Sequence, residues 1–186
     1  MKNKMELCKF WEIISHMNPK DSDLEDIDSQ EEALEEQLQL LSDDELISFS
    51  KTYDSLIASL NHWDLWQAAF FISGGCSDDG FTYFRNWVLG LGEAAFASIL
   101  QNPDNLADFP VSDPVMSAQC AEWDLLPGQV WESRDESRDD NQWFDLVFEE
   151  NQHGSDPAGS IFAEDDLEGF KKRFPRLAEV YKDSLV

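Results

Sequence analysis

Four residues in GGCSDDGFTYFRNW, residues 74–87, carry side chains able to do chemistry at close quarters: Cys76, Asp78, Asp79 and Arg85. A cysteine just ahead of a helix start lies in the positive field of the helix end, which favours thiolate, and His62 in the preceding helical region is a candidate base. Asp78 with Asp79 could hold a divalent cation or act as an acid–base pair. Arg85, a single positive centre in negative surroundings, could select an acid group on a ligand. Each also has a plainer role. Cysteine packs as a small apolar residue, the aspartates suit a helix start, and an arginine among Tyr83, Phe84 and Trp87 would be held on aromatic faces and by a carboxylate such as Asp64, Asp78 or Asp79.

A second candidate is the acidic run DSDLEDIDSQEE, residues 21–32. Its oxygen-bearing residues Asp21, Asp23, Glu25, Ser29 and Glu32 approach the spacing of a calcium loop, but Asp26 stands where the sharp turn calls for glycine. Read simply as charge, Asp21, Asp23, Glu25, Asp26 and Asp28, together with Asp139 and Asp140 further along, form a surface for the cations of a partner. His16, His62 and His153 form no H-E-x-x-H pair, and Cys8, Cys76 and Cys120 form no C-x-x-C pair, so no metal site is expected. No phosphate loop, dinucleotide fingerprint or nucleophile elbow occurs, and no cofactor is expected.

The charge of the chain bounds its partners. Thirty-nine acids against thirteen lysines and arginines give a formal charge of -26 over 186 residues. Such a surface repels phosphate backbones and anionic membranes, so neither direct nucleic-acid binding nor membrane association is expected. Residues 21–50 hold twelve acids and no lysine or arginine, whereas the last sixteen residues hold five of the thirteen cations. That asymmetry predicts a basic C-terminal helix docked on acidic surface. The early lysines Lys2, Lys4 and Lys9 interrupt any signal-peptide core, and an odd number of scattered cysteines argues against a disulfide framework. A cytoplasmic protein with reduced, mostly buried thiols is the expectation.

The elements that must position these residues are helices. Leu7, Phe10, Trp11, Ile14 and Met17 recur at three- and four-residue steps, as do Leu46, Phe49, Tyr53, Leu56 and Leu60. Ser29 with Glu32 and Ser42 with Glu45 are capping pairs that open two helices joined as a hairpin by a very short turn. Trp63, Trp66 and Phe70 mark a further helix that Gly74 and Gly75 end, and Ser77, Asp78 and Asp79 open the next. Gly90 and Gly92 separate it from EAAFASIL, which ends at Asn102 and Pro103. Residues 103–114 read as loop, MSAQCAEWDLL offers one more helix, and Pro127 with Gly128 reads as a break. GQVWES and WFDLVFEE suggest a short β-hairpin near residues 128–149, HGSDPAGS a flexible link, and DDLEGFKKRFPRLAEVY a last helix. The expected fold is a mostly α, single-domain bundle of about six to eight helices over residues 1–186.

The segments FWEIISHM, SDDELISFSKTYDSL and WDLWQAAFFISGGCSDDGFTYFRNWVLGLGEAAF, with a weaker echo in RFPRLAEVY, resemble the bacterial domain of unknown function 4240. The resemblance covers a core at residues 1–110 and part of the basic C-terminal helix at 169–186, leaving 111–168 divergent. It implies an intracellular helical domain and brings no reaction, cofactor or catalytic residue. The functional expectation therefore rests on charge: an acidic protein that neutralises a basic macromolecular partner, such as an immunity protein or antitoxin facing a cationic toxin. A small enzyme or ligand-binding regulator using Cys76, Asp78, Asp79 and Arg85 is the alternative, and the oligomeric state is not written in the sequence.

Overall fold

The stripe of Phe10, Trp11, Ile14 and Met17 is buried on one face of a helix, α1 (Leu7–Ser15), and the turn that follows it, although Leu7 at the start of that stripe is exposed. Helices dominate the rest of the chain as well. The structure, a computed structural model, describes residues 4–17, 27–109, 123–148 and 156–183. Of the expected acidic surface, Asp21, Asp23, Glu25 and Asp26 lie outside the described residues, as does most of MSAQCAEWDLL.

The chain divides into two compact units, each built from two separate stretches of sequence: residues 1–57 with 122–155, and residues 58–121 with 156–186. The first unit contains α1, α2 (Ile27–Gln39), nearly all of α3 (Asp43–Ser59), α7 (Leu126–Glu132) and α8 (Asp140–Val147). α2 starts two residues before Ser29, so the Ser29–Glu32 pair does not open it. The second capping pair is present. Ser42 N–H and Oγ–H both donate to Glu45 Oε2, at 2.9 and 2.8 Å, and Glu45 N–H donates back to Ser42 Oγ at 3.4 Å. A short turn separates α2 from α3 as expected, but α2 finds its main packing partners in α1 and α7. At the centre of this unit Phe10 stacks on Phe49 with ring centroids 4.8 Å apart, and Leu34, Leu38, Leu46 and Trp123 are buried.

The β-hairpin expected near residues 128–149 is replaced by α7 and α8, with no strand among the described residues. Two local signals point the wrong way. Pro127 sits in the first turn of α7, where its missing N–H costs nothing and its fixed φ suits the helix, so it begins an element instead of breaking one. WFDLVF is rich in aromatic and β-branched or aliphatic residues, as a strand would be, yet Trp143 and Val147, four apart, are buried while Phe144, Asp145 and Leu146 between them are exposed, which is the helical pattern. Asp139 caps α8 by accepting from Gln142 N–H at 2.9 Å. Gly128 has a packing reason: a Cβ there would meet Trp143 Cδ1 and Nε1 at 2.9 Å. Gly128→Ala is therefore expected to destabilise the first unit by about 1–3 kcal/mol. Urea denaturation followed by tryptophan fluorescence measures it, and a neutral substitution would show that Trp143 has room to move.

The second unit holds α4 (Trp63–Ser73), α5 (Asp78–Gly90), α6 (Glu93–Gln101), a 3₁₀ helix η1 (Pro103–Asp108), α9 (Leu167–Arg173) and α10 (Pro175–Val180). On α4 the small and aliphatic residues Leu65, Ala68, Ala69 and Ile72 face the core, and Trp63 and Trp66 are half-buried. Trp66 stacks between Trp63 and Phe81, with centroids 5.1 and 4.7 Å away. Residues 103–108, read as loop, form the 3₁₀ turn because Asn102 Oδ1 accepts from Asp104 N–H at 3.2 Å. The described part of HGSDPAGS, residues 156–160, is pinned at Ala158, which exchanges backbone bonds of 2.9 Å with Asn61 and Trp63 and so forms a parallel bridge beside His62. The last helix is two helices, divided at Phe174 because Pro175 cannot continue the first. Their Phe170, Phe174 and Leu177 are buried, and Arg173 pairs with Asp64 and Arg176 with Asp108, so the basic tail does dock on acidic residues of its own unit.

Candidate binding cleft

The glycine-cysteine-aspartate segment is a helix joint. Gly74, at φ 68°, ends α4 in the left-handed region, and Ser77 opens α5 by accepting from Gly80 N–H at 3.1 Å. Asp78 and Asp79 occupy the first turn of α5, where their charge suits the helix end. Cys76 is half-buried, its carbonyl accepts from Trp66 Nε1–H at 3.0 Å, and its thiol is pushed up to about 11 by burial and by the Asp78 charge. The thiolate candidate is thus overturned in favour of the plainer packed cysteine: desolvation and a neighbouring anion outweigh the helix end. Arg85 lies 4.9 Å over the Phe81 ring and donates to Phe81 O and Thr82 Oγ1. His62 lines a small cleft of about 100 Å³ with Asp64 and Leu100, in which Cys76 takes no part.

Cys8 is exposed, against the expectation of buried thiols. At pH 8 Cys8 is expected to be alkylated well before Cys76, whose thiolate fraction is about one in a thousand with its thiol near 11. Peptide mapping after timed iodoacetamide treatment checks the order.

A larger cleft, of about 470 Å³, opens in the first unit between α3 and the α7–α8 pair. Asp54 from α3, Asp124 from the turn before α7, Glu132 from α7 and Asp140 from α8 bring four carboxyl groups to its lining, and among the described residues no lysine, arginine or histidine joins them there. Its apolar wall is Leu125, Trp143, Phe144 and Phe148. Phe144 and Leu125 are 59% and 54% exposed, an apolar rim at the mouth. Phe144 and Phe148 meet at a tilt with centroids 4.7 Å apart. Ser50, one turn before Asp54 on α3, also lines the cleft, and its buried Oγ has no hydrogen-bond partner among the described residues. Asp54 is pushed up to about 7, first by burial and then by the charge of Asp124.

The walls of this cleft are fixed by a separate ionic hub. Asp43, in the first turn of α3, accepts from Arg134 and Arg138 at 2.7 Å each, and the two hydrogen-bonded guanidiniums, Arg138 first, hold its carboxyl below the usual carboxylate range. Arg134 also donates to Leu41 O at 2.7 Å, while Arg138 donates to Trp131 O at 2.8 Å and lies 4.4 Å over the Trp131 ring. Both arginines sit in the turn joining α7 to α8, so the hub ties the start of α3 to the elements opposite. Lys9 binds Glu45 nearby at 2.6 Å, and together with the Ser42 donors it holds that carboxyl at about 2.

Of the acids expected from sequence, Asp140 lines the cleft, Asp139 is consumed as a helix cap, and Asp28 is exposed in the first turn of α2. Asp54, Asp124 and Ser50 were not among the expected site residues. Among the described residues no group of three or more histidine, cysteine, aspartate or glutamate side chains is arranged to hold a metal ion, and no helix is long and apolar enough to cross a membrane.

A family model describing a protein of unknown function, DUF4240, matches residues 5–133. The chain belongs to the DUF4240 family. The match runs from α1 through α7, so it takes in Asp54, Asp124 and Gly128 of the cleft, and it stops before α8 with Asp140 and Trp143. DUF4240 membership thus extends past residue 110, where the resemblance in sequence fades, and does not include α9 and α10. No curated protein and no solved structure matches the chain.

Proposed function

We propose that this DUF4240 protein is an acidic binding protein of the cytoplasm that neutralises a basic macromolecular partner, in the manner of an immunity protein or antitoxin facing a cationic toxin. The observation that carries the reading is the 470 Å³ cleft whose described lining has four carboxyl groups and no cation. The formal charge of -26 extends the same sign over the chain and would speed encounter with a basic protein. A site around Cys76, Asp78, Asp79 and Arg85 has less support, because Cys76, Asp78 and Asp79 already serve the α4–α5 joint and Arg85 is held within α5 by Phe81 and Thr82.

The test is capture from native lysate on immobilised protein at low and high salt, followed by co-expression of the captured protein with and without this chain. A stoichiometric basic protein, lost at high salt and harmful unless this chain is present, is the expected result. Failure to retain any basic protein at low salt overturns the proposal.

A further inference from the structure

The chemistry of the cleft is narrower than a general preference for cations. We infer that the cleft between α3 and the α7–α8 pair seats one arginine side chain of the basic partner, its guanidinium held by Asp54 and Asp124 and its stem lying along Trp143 and Phe144. This deepens the proposed function and rests on it.

Four observations converge. Asp54 and Asp124 line one cleft and are close enough for the charge of one to raise the proton affinity of the other, so together they favour a shared positive guest. A guanidinium presents donors in a planar fork that can bridge two carboxylates, and it sheds water more readily than an ammonium. Trp143, Phe144 and Phe148 supply faces on which such a plane stacks. The buried Ser50 Oγ lacks a partner among the described residues and offers an acceptor that the protein itself does not use. The rim decides against a bare ion: exposed Phe144 and Leu125 give a hydrated metal nothing, whereas they cover the aliphatic part of a side chain and its neighbours. A volume of 470 Å³ falls within the range of about 300–1,000 Å³ usual for pre-formed sites, enough for one side chain with part of the adjoining chain.

The guest must displace the proton that Asp54 holds near neutral pH. The charged groups described around it, Asp124 from the turn, Glu132 from α7 and Asp140 from α8, are all acids, so none offers the cation that the guest would supply. With Asp54 at about 7, arginine binding should be about tenfold tighter at pH 8 than at pH 6.

The experiment titrates the full-length protein with capped Gly-Arg-Gly peptide and with the lysine and citrulline equivalents, following the Trp143 indole by NMR. Citrulline keeps the shape and loses the charge. The expected result is a saturable shift with arginine, one several-fold weaker with lysine and none with citrulline, with the same tenfold pH dependence. Asp124→Asn should weaken arginine binding at least tenfold, and Phe144→Ser, at the exposed rim, should weaken it while the circular dichroism spectrum is unchanged. Equal shifts with citrulline, or no shift with any peptide at either pH, overturn the inference. If the captured partner binds Asp124→Asn as tightly as it binds the unaltered protein, the arginine seat is wrong and the acidic-inhibitor reading stands; if no basic partner exists, the broader reading fails on its own test.

Discussion

Asp54→Asn is expected to stabilise the first unit by on the order of 3 kcal/mol above pH 7 and to leave it unchanged below about pH 4. Burial and the Asp124 charge raise the folded carboxyl from 3.8 to about 7. Between those two values the unfolded chain has released the proton and the folded chain keeps it, so the native state binds more protons and stability falls as pH rises. About one pH unit above the folded value the loss is complete and constant. Every tenfold gain in proton affinity on folding corresponds to about 1.4 kcal/mol, and the partial exposure of Asp54 trims the total. Asparagine has no proton to lose and escapes the penalty. For a chain of this length the gain corresponds to a midpoint rise of roughly 6–12 °C at pH 8. Thermal melts of both proteins at pH 4.5 and pH 8 decide the matter: an equal difference at the two pH values would mean that Asp54 is not desolvated as described.

The same substitution removes one of the two groups that would hold an arginine. A carboxyl that weakens the fold at the pH where it ionises is what a site built for a cationic guest requires, since the guest, not the fold, stabilises the charge. Asp54→Asn should therefore gain stability and lose affinity together, and Asp124→Asn should lower the Asp54 carboxyl toward its ordinary range.

The helical part of this architecture was legible because its signals are local. Phe10 with Ile14, Phe49 with Tyr53, and the Ser42–Glu45 pair sit three or four residues apart, and their contacts follow from helix geometry alone. Gly74 and Ser77 likewise announce the α4–α5 joint. Where the expectation failed, a local cue had two meanings. Pro127 and Gly128 look like a break, yet proline is at home in the first turn of α7, and glycine is there because Trp143 presses on it from α8. Cys76 lies ahead of a helix start, but burial and Asp78 decide its protonation. The cleft was not legible at all. Asp54 and Asp124 are seventy positions apart in the sequence, and the unit that joins them is assembled from residues 1–57 and 122–155, with residues 58–121 of the second unit between. No periodicity encodes that meeting.

Asp104→Ala is expected to destabilise the second unit by about 3 kcal/mol, several times the effect of Arg176→Ala, although both residues tie the C-terminal segment down. α10 begins at Phe174–Pro175 with no side-chain cap of its own. The cap comes from η1: the Asp104 carboxylate accepts from Leu177 N–H at 3.0 Å and from Arg176 N–H at 3.1 and 3.2 Å. Asp104 is 5% exposed, so removing its carboxylate leaves donors at a buried helix start without an acceptor. The Arg176 side chain, by contrast, reaches Asp108 and Asn105 at the surface, where both members of the ion pair are about half exposed and water replaces most of what is lost. The salt-sensitive part of tail docking is therefore the smaller part, and burial of Phe170, Phe174 and Leu177 with the Asp104 cap carries the rest. Asp104→Asn should fall between the two, since its amide oxygen can still accept. Amide exchange at Arg176 and Leu177 reports the cap directly, with protection lost in Asp104→Ala and largely retained in Arg176→Ala. Equal costs for the two alanine variants would show that the tail is held by surface charge instead.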